Sequence, residues 1–564
     1  MTEADLALAC MRAFVEGLVA HGLTDACVSP GSRSTPLALA LRRADRVRVH
    51  VHLDERAAAF FALGLAKATG RPVATACTSG TAVAEYLPAI VEASMTRVPL
   101  LALTADRPPE LHGVGANQTI DQEGIFGAWV RCWIQAEVPG DRPDVAYWHG
   151  LATNVWWRAV QHPPQPVHVN LPFREPLVPT GEPVSIGDAG IAHADMTTGP
   201  THITPPEATW MAELVERHER GLVLAGSLRT PPRQALTLAR QAGWPLAAEP
   251  TSGLRVPGVL SAPTALLADE RFASTHVPDV VLQLGASPTS RAGLALTATA
   301  PRLVVVDPDD LVADPHRRAE SRILAGVDSV AVSTASRFEP RTDTPWLRTW
   351  LDADARAREA VDGLLDAWSE PFEGRIARDV AAAMPEGSTL VVGSSMPVRD
   401  LDLFMAPRQG IRVLGNRGAS GIDGFVSTVL GVAAARTPTV GLLGDLTLIH
   451  DVGSLLWNAR RDLDAVLVVP NNGGGTIFSF LSQRDLPPAE LEALFTTPHG
   501  LDLGAVCAAA GAGHTRVERA GGLVPALERA REAGGVHVVE VPVDAELDRR
   551  RHEQVREAVG AALH

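Results

Sequence analysis

Short runs rich in Val, Leu and Ala recur along this chain. Each breaks off at Gly, Ser or Asp and gives way to a stretch with apolar residues at helical spacing. From Thr24 to about Pro108 the pattern reads "DACVSPGSRSTPLALAL", "RVHVHLDERAAAFFALGLAKATG", "PVATACTSGTAVAEYLPAIVEA" and "VPLLALTADRPP". Apolar runs alternating with helical patterns predict a parallel sheet of the α/β type. Functional loops then belong at the carboxyl ends of its strands. The proline-rich stretches "HPPQPVHVNLPFREPLVPTGEP" and "TGPTHITPP" set this region apart from a second one containing "GLVLAG", "DVVLQLGAS" and "RLVVVDPDD". A break near "SRFEPRTDTPW" precedes a third, which opens with a helix expected around Asp352 to Trp368 and continues through "STLVVGSSMPVRDL", "IRVLGNRGASGIDG", "PTVGLLGDLTLIHDVGSLLWNARR" and "DAVLVVPNNGG". The prediction is three consecutive doubly wound parallel-sheet α/β domains, over residues 1–180, 200–340 and 350–564, without a short-period repeat. The opening "MTEADLALACMRAFVEGL" carries acids at Glu3, Asp5 and Glu16 and reads as an amphipathic helix, not a signal peptide.

A chain of 564 residues is too long for a single core. Its formal charge of −15 argues against nucleic-acid or anionic-membrane partners, which require a basic field. Anionic ligands must then be met by local arginines. Lys67 is the only lysine among 50 basic residues, a bias attributed to genome composition. Cys10, Cys27, Cys77, Cys132 and Cys507 are scattered, with no CxxC, which fits a reducing compartment and no structural zinc. No apolar run approaches membrane-spanning length, so no membrane insertion and a cytoplasmic location are expected.

One stretch asks for chemistry. "VVPNNGGGTIF", Val468 to Phe478, ends a buried-type strand on two carboxamides and three glycines. Upstream, "TVGLLGD" ends another strand at Gly444-Asp445, and Leu448, Val452, Leu455, Leu456 and Ala459 follow at helical spacing. If the two strands lie close together in one parallel sheet, Asp445 and the Asn471-Asn472 pair, 27 residues on at Asn472, converge at one edge. A carboxylate, an amide oxygen and a glycine carbonyl make an all-oxygen set suited to a hard cation such as Mg²⁺. The glycines would let a diphosphate approach the backbone closely. Either motif alone reads more simply as a helix cap or turn chemistry. Together, across a crossover of this length, they favour the metal.

Gly444-Asp445 followed by Asn471-Asn472 resembles the thiamine-diphosphate signature, which opens Gly-Asp-Gly and closes on Asn-Asn; Leu446 stands at the third position here. That departure fits one branch. "SPGSRSTPLA", "DERAAAFFALGLAKATG", "TSGTAVAEYLPAIVEA", "LTADRPPELHGVGANQTIDQ", "NRGASGIDG" and "NNGGGTIFSFL", in order from about residue 29 to 480, resemble the menaquinone-pathway family of 2-succinyl-5-enolpyruvyl-6-hydroxy-3-cyclohexene-1-carboxylate (SEPHCHC) synthases. The resemblance implies a pyrimidine-binding first domain, a central domain and a diphosphate-binding third domain. It implies thiamine diphosphate with Mg²⁺, or Mn²⁺ in its place, and a metal held by Asp445, Asn472 and Gly474. Glu55, which alone reads as a carboxylate in the first turn of a helix, takes the role of the glutamate that hydrogen-bonds N1′ of the aminopyrimidine. Ile422 would support the bent cofactor, and Ser420, Gly444 and Ile477 belong to the cofactor site, with Phe478 a further apolar wall.

The implied substrates are 2-oxoglutarate, which loses CO₂, and isochorismate, whose ring accepts the succinyl carbanion equivalent by 1,4-addition. Both are dianions, and arginine grips a carboxylate through two parallel hydrogen bonds. Arg33, Arg107, Arg291, Arg399 and Arg417 lie in matching loops, with Ser32, Asn117, Gln118 and Ser395 as polar contacts. Arg33 and Arg399 are expected to be exposed loop arginines of little weight in stability. His21, His50 and His52 have no metal-ligand spacing and are left as structural. The resemblance further implies a homodimer, or a dimer of dimers, with shared active sites. A thiamine-dependent relative acting on pyruvate would keep Glu55, Asp445 and Asn472, but needs fewer arginines. Nucleotide binding by the middle region, where Asp307 follows Gly285 by 22 residues, lacks a GxGxxG. An inert or regulatory α/β protein would bind no cofactor.

Overall fold

The structure is a computed structural model that describes residues 2–181, 199, 201–458 and 462–564. Ala459 and residues 182–198 of the expected linkers lie outside the described residues. The first helix, Glu3–His21, starts on a capping box in which the Thr2 hydroxyl accepts from the Asp5 amide and the Asp5 carboxylate accepts from the Thr2 amide. It ends at Gly22, whose φ of 116° favours glycine.

Among the described residues, seventeen strands form three all-parallel sheets. The first holds β1 (Asp25–Val28), β2 (Arg48–Val51), β3 (Val73–Cys77), β4 (Leu100–Asp106), β5 (Trp133–Gln135) and β6 (Val167–Pro172) in the order 2-1-3-4-6-5. The second holds β7 (Gly221–Ala225), β8 (Leu246–Ala248), β9 (Val280–Leu284), β10 (Arg302–Val306) and β11 (Ala319–Ile323) in the order 11-10-9-7-8. The third holds β12 (Ser388–Val392), β13 (Ile411–Leu414), β14 (Thr439–Leu442), β15 (Ala465–Asn471), β16 (Gly513–Arg516) and β17 (Val536–Pro542) in the order 13-12-14-15-17-16. Counted from its own first strand, the third sheet repeats the order of the first. In both, strand order reverses between the first and third strands, which is where ligands of open parallel sheets gather.

Double winding shows in the second sheet's packing. Leu222 and Leu224 of β7 enter one apolar cluster while Val223 and Ala225 enter another; Leu303 and Val305 of β10 part in the same way from Val304 and Val306. Alternate residues of a strand point to opposite faces, so both faces are covered.

Three local readings change. The proline-rich stretch after His162 contains β6, buried throughout between β4 and β5; its prolines flank the strand or close it at Pro172 and leave its ladder intact. The helix expected from Asp352 begins at Pro345, because Thr344 caps it, accepting from the Leu347 amide at 3.1 Å, and Trp346 and Trp350 already face the core. The crossover after Asp445 is two helices, Asp445–His450 and Val452–Asn458. Asp451 interrupts them, its buried carboxylate accepting from the Ser427 amide at 2.7 Å and hydroxyl at 2.9 Å.

The described residues fall into two compact units. The first takes in the N-terminal residues to 199 with 416–436 and 450–463; the second takes in 201–415, 437–449 and 464–564.

Candidate active site

In the first unit the candidate residues follow the ends of β1 to β4. The loop after β1 carries Ser32, which is exposed, and Arg33, which is not: Arg33 is 6% exposed and donates to the Phe173 carbonyl at 2.9 Å and to Glu175 at 3.0 Å. The expectation of an exposed loop arginine is thus corrected there; Arg399 is exposed as expected, but it stands in the helix Met396–Phe404 and not in a loop. Gly31 permits the approach, since a Cβ there would lie 2.3 Å from Thr78 Cβ in the loop after β3. Arg107, at the end of β4, is buried and donates to Ser79 Oγ. Desolvation, and then the charge of Arg33, push its guanidinium below the usual arginine range. Gln118, at φ 54°, donates to the Ser79 carbonyl at 2.9 Å and accepts the Ser79 hydroxyl on its own carbonyl at 3.1 Å. Arg107 and Gln118 therefore meet at Ser79, a residue the sequence did not single out. Asn117 is exposed and is not joined to another candidate.

Glu55 opens the helix Glu55–Thr69, capped by Asp54, which accepts from the Ala57 amide at 3.1 Å. Partial burial, with Asp54 and Glu85 adding, raises the Glu55 carboxyl above the ordinary glutamate range. This helix packs on Phe425–Ala433 at backbone contact. A Cβ on Gly64 would sit 2.1 Å from the Thr428 carbonyl, and one on Gly431 2.0 Å from that of Phe61. The loop before Phe425–Ala433 carries Arg417, half-buried, Ser420, exposed at φ 60°, and Ile422, half-buried.

In the second unit β14 and β15 are neighbours, with Leu442 opposite Val468, so the ends carrying Gly444-Asp445 and Asn471-Asn472 share one edge. Asp445 is 2% exposed. Its Oδ1 accepts from the Leu446 amide at 2.6 Å; its Oδ2 has no hydrogen-bond partner and faces His499 Nε2 at 3.4 Å. Burial raises its carboxyl above the usual range, opposed first by the Leu446 amide, then by the charge of His499 and the Gly473 amide. His499 is tied to the same loop, its amide donating to the Gly473 carbonyl at 3.2 Å.

The two asparagines have different jobs. Asn471 donates to Glu540 at 2.8 Å, and Glu540 also meets His514 and Arg516, so Asn471 belongs to a structural network. Asn472 donates from Nδ2 to Glu373 at 2.6 Å and Thr476 Oγ1 at 2.7 Å, which turns its Oδ1 the other way. Gly474 is buried, and a Cβ on it would lie 2.2 Å from the Thr496 carbonyl. An all-oxygen cation site fits these residues: a buried carboxylate oxygen is without a hydrogen bond, the Asn472 amide oxygen on the same sheet edge is oriented from behind and accepts only from the Gly474 amide at 3.2 Å, and Gly474 admits no side chain. Glu373, fully buried, is held well above the usual carboxyl range by desolvation and by Asp548 and Asp400; nothing in its local sequence marks it.

Ile477 and Phe478 lie in the 3-10 turn Thr476–Phe480, half-buried, with the Phe478 ring 5.3 Å from that of Phe495. Ser395, at φ 72°, follows β12 across the reversal of strand order from β14, and its carbonyl accepts from Arg399 at 2.5 Å. Arg291 is exposed at the start of the helix Arg291–Thr299 and is not joined to another candidate.

Three family models match in series: "Thiamine pyrophosphate enzyme, N-terminal TPP binding domain" over residues 9–125, "Middle domain of thiamine pyrophosphate" over 196–392, and "Thiamine pyrophosphate enzyme, C-terminal TPP binding domain" over 403–541. Thiamine pyrophosphate and thiamine diphosphate are one molecule, so fold and cofactor class are those of the thiamine-diphosphate enzymes. Benzoylformate decarboxylase from Polynucleobacter necessarius shares the fold at a TM-score of 0.73 and 18% identity, covering 95% of this chain and 99% of that one. The SEPHCHC synthase of Thermobifida fusca (strain YX) is 44% identical over 98% of both chains, and that of Chloroflexus aurantiacus is 42% identical over 98% of this chain and 96% of its own. This chain belongs to the 2-succinyl-5-enolpyruvyl-6-hydroxy-3-cyclohexene-1-carboxylate synthase family.

Proposed function

We propose that the chain decarboxylates 2-oxoglutarate and joins the remaining succinyl unit to isochorismate by 1,4-addition, giving SEPHCHC and CO₂. The observation that carries the reading is the buried Asp445 carboxylate, with one oxygen left without a hydrogen bond beside a glycine cradle and an oriented asparagine. Asp445, Asn472 and the Gly474 carbonyl would hold Mg²⁺, or Mn²⁺, against the cofactor's diphosphate, with Gly444, Ser420, Ile422 and Ile477 completing the cofactor site. Thiamine diphosphate, when bound, supplies the electron sink that lets a 2-oxo acid lose CO₂ and form a carbon–carbon bond.

The rest falls to the protein. Glu55, whose carboxyl is raised by burial, is suited to keep a proton and donate it to N1′ of the aminopyrimidine. Arg33 and Arg107, close enough for one charge to act on the other, suit a substrate with two carboxylates. Ser32, Asn117, Gln118, Arg291, Ser395, Arg399 and Arg417 would orient the two substrates, and Phe478 would help exclude water. The domain roles follow: pyrimidine over 1–180, diphosphate over 350–564, with 200–340 between them. We take the working form to be a homodimer or dimer of dimers, with Glu55 from one chain and Asp445 from its partner serving one cofactor.

No helix among the described residues is long and apolar enough to cross a membrane. A cytoplasmic site of action is supported by the five cysteines, none of which is in a disulfide. The test is mass detection of SEPHCHC from 2-oxoglutarate and isochorismate, with pyruvate as control donor. Product from pyruvate and none from 2-oxoglutarate would overturn the donor assignment.

A further inference from the structure

In a chain whose other 49 basic residues are arginine, Lys67 is the exception, and it is buried. A compact ammonium projects three donors from one atom, where a guanidinium would need a larger planar space. From the helix Glu55–Thr69, Lys67 Nζ donates to Glu92 Oε1 at 3.0 Å and to Asn416 Oδ1 at 2.9 Å, and the Asn416 amide donates onward to Thr428 Oγ1 at 2.9 Å. Glu92, in the helix Leu87–Met95, is 2% exposed. Its Oε1 also accepts from the Gly418 amide at 3.1 Å, and its Oε2 from the Ala419 amide at 2.7 Å. Only a glycine lets the loop come down this far: a Cβ on Gly418 would lie 2.7 Å from Met95 Cβ and 3.0 Å from Glu92 Oε2. Arg417 is thus held between two anchored residues, and Ser420 follows directly, with its backbone in the left-handed region.

We propose that Lys67 and Glu92 are a positioning pair that fixes the 416–420 backbone, and through it aims Arg417 at substrate and Ser420 at the cofactor. Neither reaches the reacting atoms. The proposal rests on the reading of Arg417 and Ser420 given above. Burial lowers the Lys67 ammonium's affinity for its proton, and the neighbouring Glu92 opposes that.

A merely structural pair and a positioning pair part company when both charges go. Replacing a buried ion pair by apolar residues of similar size is often neutral for stability, because no lone charge is left behind. The variant Lys67→Met/Glu92→Leu leaves no lone charge and removes one donor from Asn416 Oδ1, so its thermal midpoint should fall less than that of either single variant. The amides of Gly418 and Ala419, losing their acceptor next to solvent, should exchange hydrogen faster, while those of Glu55–Thr69 keep their protection. The KM for isochorismate and the dissociation constant of thiamine diphosphate should rise by about 10- to 100-fold, the usual consequence of a small misplacement of binding groups. Gly418→Ala, which pushes the loop off Glu92 and leaves the pair intact, should give the same exchange and the same kinetics, and answers the question if the double variant does not fold. Unchanged exchange at Gly418 and Ala419, or faster exchange with unchanged KM and cofactor affinity, would overturn the proposal. If instead the functional reading is at fault, the unmodified enzyme makes no SEPHCHC, and the exchange measurement still decides whether the pair holds the loop.

Discussion

Asp445 is the residue on which the proposed metal site turns, with one carboxylate oxygen facing only His499 at 3.4 Å. A buried carboxylate oxygen without a hydrogen bond is unfavourable by about 1–3 kcal/mol, and a cation removes that penalty. Asp445→Ala should abolish Mg²⁺-dependent binding of thiamine diphosphate in a calorimetric titration; unchanged affinity would count against the site. Glu373 acts one step behind, because its carboxyl fixes which end of the Asn472 amide can face a cation. Glu373→Leu should weaken Mg²⁺ affinity by roughly 10- to 100-fold, the usual effect of losing an outer-shell partner, and Glu373→Gln should recover most of it. The arginines divide by burial. Arg399→Ala should lower turnover and leave the thermal midpoint in place. Arg33→Ala strips the Phe173 carbonyl of a donor inside the fold and should destabilise by about 1–3 kcal/mol as well as lower turnover, seen as a reduced midpoint in calorimetry.

The helix Glu55–Thr69 puts a carboxyl in a place that opposes its charge. Because the folded-state acidity constant is raised, the native protein holds this proton more tightly than the unfolded chain between the ordinary glutamate value, about 4.3, and the raised one. Through that window the contribution of Glu55 to stability falls as pH rises. Glu55→Gln should therefore raise the cofactor-free thermal midpoint at pH 7, the gain shrinking toward pH 4.3, while activity is lost at every pH. A midpoint difference independent of pH would refute this. The elements themselves were readable in proportion to their period. Strands such as β3, β9 and β15, fully or almost fully apolar, stand out as runs, and the candidate residues lie in the segments that follow strands across the first and third sheets, with Arg291 alone after the second. β6 was hidden by its flanking prolines, and β16, a four-residue polar strand, carries no period to detect. Ser79, Glu373 and His499 were missed for another reason: their roles come from neighbours 28, 99 and 54 positions away in the chain, at Arg107, Asn472 and Asp445. No local pattern encodes such pairs. Motif resemblance reached Arg107 and Gln118, yet gave no hint that both converge on one serine.

At the scale of the whole molecule, the proposal that Glu55 and Asp445 serve one cofactor from different chains has a direct test. Glu55→Gln and Asp445→Ala chains, each inactive alone, are unfolded together and refolded as a mixture. In a mixed dimer one site collects both defects and the other collects neither. Random pairing makes about half the dimers mixed, so roughly a quarter of the unmodified activity should return by symmetry. Good dimers without recovered activity would eliminate sharing and leave the cofactor assignment standing. The burial of Lys67 has a consequence outside catalysis. Acyl thioesters, aldehydes and succinimidyl esters tag proteins at lysine amines. In its native state this enzyme withholds its one ε-amine from all of them, so lysine acylation has no surface target here. The first such tag that a chain acquires at Lys67 is a mark that it has opened.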